Sequence, residues 1–165
     1  MIQKKICMLG AFAVGKTSLV QRFVSSIFDE RYHTTVGVKI DRKDVRVGDR
    51  DVSLMLWDIH GEDEFQKLRL SYLRGSSGYL VVADGTRRTT LDRAYALQGV
   101  AERTVGKAPF VLLVNKADLK GDWNLEPGDL DEARSRGWKV LETSAKTGDH
   151  VEEAFLHLAS RMLEG

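Results

Sequence analysis

The chain has one cysteine, two prolines and almost no charge imbalance, with 25 Lys and Arg against 24 Asp and Glu. Each shortage excludes something. A lone Cys7 forbids an intrachain disulfide, and its neighbours Ile6, Met8 and Leu9 mark it as a small core residue. The near-zero net charge disfavours a nucleic-acid binder, which needs a basic excess to displace counterions. The longest apolar runs, residues 79–83 and 110–114, fall far short of the ~20 residues that span a bilayer. The start, Met1-Ile2-Gln3-Lys4-Lys5, has no apolar stretch after its charges, and Ile2 stands where myristoylation needs glycine. Leu163-Glu164-Gly165 brings no prenylation cysteine. The expectation is a cytoplasmic protein with no evident membrane anchor and no nucleic-acid partner.

What the chain does have is a core. Hydrophobic residues make up 42% of 165, which suits one domain over residues 1–165 and argues against disorder. The runs at 6–9, 79–83 and 110–114 are continuous rather than alternating, as parallel strands covered on both faces require. Helical stripes lie between them: Leu19, Val20 and Phe23, then Leu91, Ala94, Tyr95 and Leu97. The clearest stripe is Val151, Ala154, Phe155, Leu158, Ala159, Met162 and Leu163, with Asp149 ahead of it as an expected N-cap. Val38, Ile40, Val45 and Val47 lead to Gly48-Asp49, and Val52, Leu54 and Leu56 return, which reads as a hairpin. Residues 138–141 read as a last strand and residues 123–128 as a connecting loop. The pattern predicts an α/β fold with a mostly parallel sheet and one antiparallel edge strand.

Gly10-Ala11-Phe12-Ala13-Val14-Gly15-Lys16-Thr17 follows the first apolar run and opens a helix. Glycines let the backbone curl its N–H groups around an anion, and the helix N-terminus adds partial positive charge. Lys16 is expected to reach terminal phosphates and Thr17 to ligate Mg²⁺. This predicts a nucleoside triphosphate site without choosing the base. Asn115-Lys116-Ala117-Asp118 follows the 110–114 strand. A carboxylate at Asp118 can accept from guanine N1–H and its exocyclic amine, a donor pair that adenine lacks. Glu142-Thr143-Ser144-Ala145-Lys146 follows the last strand.

With Thr35-Val36-Gly37 and Asp58-Ile59-His60-Gly61 added, the chain resembles the Ras superfamily of small GTPases, most closely its Ras and Rab branches. The resemblance implies a three-layer P-loop fold with a six-stranded sheet and helices on both faces. It implies that Ala13, Val14, Gly15, Lys16, Thr17 and Ser18 hold the phosphates. Asn115 and Asp118 bind guanine, Lys116 packs along the nucleotide, and Phe28 covers the base edge. Ser144 and Ala145 lie by the base oxygen, with Lys146 near the ring. Thr35 joins Thr17 on Mg²⁺ when the γ-phosphate is present, Asp58 holds a magnesium water, and Gly61 N–H touches the γ-phosphate. GTP and GDP are then the alternating ligands. An effector, an exchange factor and an activating protein are expected along 31–40 and 60–73, where Phe65, Leu68, Leu70, Tyr72 and Leu73 divide, in a way the sequence does not sort, between core and an exposed apolar patch.

Three residues depart from the family near the γ-phosphate. Glu62 replaces the usual water-orienting glutamine; its carboxylate either accepts a proton from water, against repulsion by the phosphate, or is merely a solvated loop residue. Phe12 is bulky where Ras proteins are small, and would either obstruct an arginine supplied in trans or pack against the switch segments. His60 replaces a small residue and is either a gate for water or merely a packed loop side chain. Arg31 is a further candidate for charge stabilisation in cis. Lys16, Gly61 and Glu62 are the candidate catalytic residues. The leading expectation is a GTP/GDP switch with slow hydrolysis. The alternatives are a guanine-nucleotide-dependent binding module that never hydrolyses and, more remotely, a P-loop kinase, which would leave residues 115–118 without a role.

Overall fold

The computed structural model describes residues 1–25, 37–60 and 70–164. Within them lie β1 (Ile2–Gly10), α1 (Lys16–Ser25), β2 (Gly37–Val47), β3 (Arg50–His60), α2 (Leu70–Leu73), β4 (Gly78–Asp84), α3 (Arg88–Val105), β5 (Phe110–Asn115), α4 (Asp131–Ser135), β6 (Val140–Thr143) and α5 (Val151–Leu163). The strands form one sheet in the order β2-β3-β1-β4-β5-β6. Only β2 and β3 run antiparallel, joined at Gly48, whose φ of 62° supplies the left-handed first position of a tight hairpin turn. The other pairs are parallel. The expected mostly parallel sheet with its antiparallel edge strand is therefore present.

The continuous apolar runs follow from a sheet covered on both faces. Ile6, Met8, Leu80, Val82, Val111 and Leu113 face one core with α1 and α5. Their chain neighbours Cys7, Leu9, Tyr79, Val81, Leu112 and Val114 face the other with α3. Each side chain of this size stabilises the fold by roughly 1.5–3 kcal/mol when fully buried. In the first core Phe23 of α1 stacks on Phe155 of α5 at 4.2 Å between ring centroids. Among the described residues no helix is long and apolar enough to cross a membrane.

Two boundaries differ from the sequence reading. The last strand begins at Val140, not at 138. Trp138 instead packs edge-on against Phe110 at 5.0 Å and beside Tyr95 at 5.3 Å, so its ring wedges between strand and helix. Asp149 does not cap α5. His150 holds that position with φ 58° and no side-chain cap bond, while the Asp149 N–H donates to Thr147 Oγ1.

Cys7 is fully buried, its Sγ donating to the Tyr72 carbonyl at 3.3 Å and lying 3.1 Å from Ser76 Oγ. Burial pushes its thiol pKa up, against weaker lowering by Ser76 and Lys5. The native protein is expected to resist a thiol–disulfide reagent at pH 8 and to react once denaturant is added. Fast labelling of the native form would contradict this placement.

Candidate functional site

The C-terminal ends of β1, β3, β4, β5 and β6 converge on one rim of the sheet, and the predicted motifs sit there. At the end of β1, Gly10 leaves no room for a side chain, since a Cβ would lie 2.6 Å from the Val82 carbonyl. The chain then curls through Ala13 (φ 62°) and Gly15 (φ 104°). α1 begins directly after, with Leu19 N–H bonded to the Gly15 carbonyl at 2.9 Å. The first N–H groups of α1 thus open onto the loop, together with the positive end of the helix dipole. Lys16 is buried, its Nζ donating to the carbonyls of Gly10 at 3.0 Å and Ile59 at 2.9 Å. Thr17 Oγ1 donates to Asp58 Oδ2 at 2.7 Å, which joins α1 to the end of β3. Val14 is buried in the core, and Ser18 is half-buried in the first turn of the helix.

The second half of the rim is joined to the first. Asn115, at the end of β5, donates from Nδ2 to the Val14 carbonyl at 3.0 Å and accepts from Thr143 Oγ1 at 3.1 Å. One buried amide therefore links the phosphate loop, β5 and β6. Lys116 adopts φ 72°, and its Nζ pairs with Asp84 at 2.8 Å and reaches the Ala13 carbonyl at 3.4 Å. Asp118 is exposed in the 3-10 turn Ala117–Asp122, and its Oδ1 accepts from Ser144 Oγ at 2.8 Å. Ser144 Oγ in turn accepts from Thr147 N–H at 3.0 Å, which orients the hydroxyl toward the carboxylate. Ala145 is buried and Lys146 is exposed beside it.

The comparisons agree with this geometry. The model of the Ras family matches residues 5–164. Ras-related protein RABA6a of Arabidopsis thaliana is 36% identical over 165 residues, spanning 97% of this chain and 70% of that protein. The chain belongs to the Ras family of small GTPases.

Family membership makes it a small GTPase switch in general terms, one of a family that binds GTP and GDP with Mg²⁺ and works through regulators and effectors. In this Ras-family GTPase the donor set fits a small hard cation: a hydroxyl and a fully buried carboxylate held 2.7 Å apart beside the phosphate loop. Among the described residues no group of three or more His, Cys, Asp and Glu forms a metal cage.

Phe28, Arg31, Thr35, Gly61, Glu62, Phe65 and Leu68 lie outside the described residues, as does the His60 side chain. Phe12 is 43% exposed at the loop crest. Of the apolar residues expected at a partner surface, Ile40 and Leu70 are exposed, Tyr72 is half-buried and Leu73 belongs to the core.

The Ras-family motifs do not name several residues that build the site. Arg22 of α1 donates to the carbonyls of Ala145 and Lys146 and so holds the 144–146 loop. Trp123, read only as part of a loop, covers Gly85 and donates from Nε1 to the Lys116 carbonyl at 2.8 Å. A Cβ at Gly85 would sit 2.1 Å from that indole. Asp84 and Arg87 also belong to the site. None carries a spacing signal, since each contact joins distant parts of the chain or lies outside the motifs.

Proposed function

We propose that this protein is a guanine-nucleotide switch that cleaves GTP to GDP and phosphate slowly, with Mg²⁺. The observation that carries the reading is the Asn115 amide bonded to Val14 of the phosphate loop, because it joins a phosphate cradle to a guanine-reading carboxylate on one rim. Ala13, Val14, Gly15, Lys16, Thr17 and Ser18 hold the phosphates, with backbone N–H groups and the Lys16 side chain as the donors. Asn115, Lys116, Asp118, Ser144, Ala145 and Lys146 hold the base, with Phe28 at its edge. Thr17, Thr35 and Asp58, the last through water, hold Mg²⁺, which when bound neutralises charge on the terminal phosphates. Thr35 and the Gly61 N–H read the γ-phosphate, so the segments that carry them change state when it leaves.

Slowness follows from the residues beside the reaction. Glu62 carries negative charge where a water-orienting amide is needed, and like charge keeps it from the phosphate. Phe12 obstructs the path of an arginine from a partner, an effect that reaches ~10³–10⁵ in rate where such an arginine acts. Effectors, exchange factors and activating proteins engage 31–40 and 60–73.

Single-turnover cleavage of labelled GTP tests the reading. The expected rate is about 10⁻² per second or slower without a partner. Cleavage near one per second would refute slow hydrolysis. A rate indistinguishable from the Lys16→Ala variant would instead favour a binding module that never cleaves.

A further inference from the structure

Asp84 closes β4 with its side chain fully buried, yet no motif assigns it a role. Its Oδ1 accepts from Thr86 N–H at 2.9 Å and Thr86 Oγ1 at 2.7 Å. Its Oδ2 accepts from Arg87 Nε at 3.1 Å and pairs with Lys116 Nζ at 2.8 Å. Burial alone would raise its pKa, but the hydrogen bonds from Lys116, Thr86 and Arg87 outweigh it and hold the carboxyl below its ordinary value. Both cations then reach the phosphate loop. Arg87 Nη2 donates to the Phe12 carbonyl at 2.8 Å, and Lys116 Nζ to the Ala13 carbonyl at 3.4 Å.

Two consecutive carbonyls are thus drawn outward by cations anchored on one carboxylate. An anion-binding loop needs that arrangement, because its N–H groups face inward when its carbonyls face away. Ala13 also holds φ 62°, a conformation that a residue other than glycine keeps only when its surroundings fix it. Arg87 serves this contact rather than the helix that it precedes. It occupies the N-cap of α3 and makes no side-chain cap bond there, where Ser, Thr, Asp or Asn would stabilise the helix end. Its guanidinium turns to the loop instead.

We propose that Asp84 and Arg87 form a positioning clasp that keeps the phosphate loop in its anion-binding shape and so sets how long a guanosine diphosphate stays bound. The clasp rests on the reading of residues 10–18 as a phosphate cradle. Arg87 is the residue to vary, because its side chain is 42% exposed and its loss leaves the core packed.

The test uses the full chain loaded with a fluorescent GDP analogue and chased with excess GDP. Arg87→Ala is expected to release the analogue roughly tenfold faster, the scale of one lost charge-assisted hydrogen bond. Arg87→Lys keeps a cation within reach and is expected to recover part of that loss. Competition by GMP separates positioning from general loosening. A clasp acting on the distal-phosphate loop lowers the GDP-to-GMP affinity ratio about tenfold, whereas a merely structural role weakens both alike. Unchanged release in Arg87→Ala, or an unchanged ratio, overturns the clasp while the switch reading stands. A wild-type chain that retains no GDP analogue overturns the switch reading itself and the clasp with it.

Discussion

Asp118→Asn is expected to trade a guanine preference for a xanthine preference. A carboxylate offers two acceptors to the N1–H and exocyclic amine of guanine. An amide offers one acceptor and one donor, which opposes the guanine amine but matches the carbonyl of xanthine. The change does not need the loop to move. Asp118 is held by Ser144 Oγ at 2.8 Å, and that hydroxyl is itself oriented by Thr147 N–H. A site built around a hydrogen-bonding group rejects the wrong partner by up to ~10⁴–10⁵, and the ratio of GDP to xanthosine diphosphate affinity is expected to move by about that much. Equilibrium binding of both nucleotides to both proteins measures it. A variant that still prefers GDP would remove Asp118 from the base-reading role.

Gly15→Ala is expected to damage the fold and the site together. Gly15 sits at φ 104°, outside the range of ordinary side-chain-bearing residues, and a Cβ there would lie 2.3 Å from Asn115 Nδ2. The amide has no free direction to yield, since it donates to Val14 and accepts from Thr143 inside the protein. Relief requires breaking buried hydrogen bonds at about 1–3 kcal/mol each, on top of ~1–3 kcal/mol of backbone strain. A loss on the order of 3–5 kcal/mol in denaturant unfolding is expected, with nucleotide retention falling alongside. A change below about 1 kcal/mol would mean that the Asn115 bridge is not as rigid as its contacts imply.

These two sites show what the sequence could and could not disclose. Gly15 and Asp118 stand at fixed offsets inside short motifs, so their chemistry is readable from spacing. The sheet was readable too, because runs such as 79–83 put alternate residues on opposite faces and leave no polar gap. Arg22, Asp84, Arg87 and Trp123 were not. Arg22 reaches Ala145 across 123 positions and Arg87 reaches Phe12 across 75, and no local pattern encodes such a meeting. His150 misled for another reason. The backbone of Asp149 belongs to the preceding turn, its carbonyl accepting from Ser144 N–H and its N–H donating to Thr147 Oγ1, so the helix starts one residue later, at His150 with φ 58°. Trp138 looked like strand because aromatics favour strands, but its ring serves Phe110 and Tyr95 before the ladder begins.

The hairpin turn at Gly48 has a practical use. It lies at the start of β3, and Asp58 lies eight residues along the same strand from Arg50, roughly 27 Å at the rise of an extended chain. The exposed Asp49, Lys107 and Lys139 lie beside Gly48, Gly106 and Gly137, whose positive φ an added side chain would strain. All three precede strands whose far ends carry the chemistry. A dye or a surface tether attached on that side would leave the rim that carries the motifs open to solution, so that the molecule can be immobilised or followed in single-molecule work without touching it.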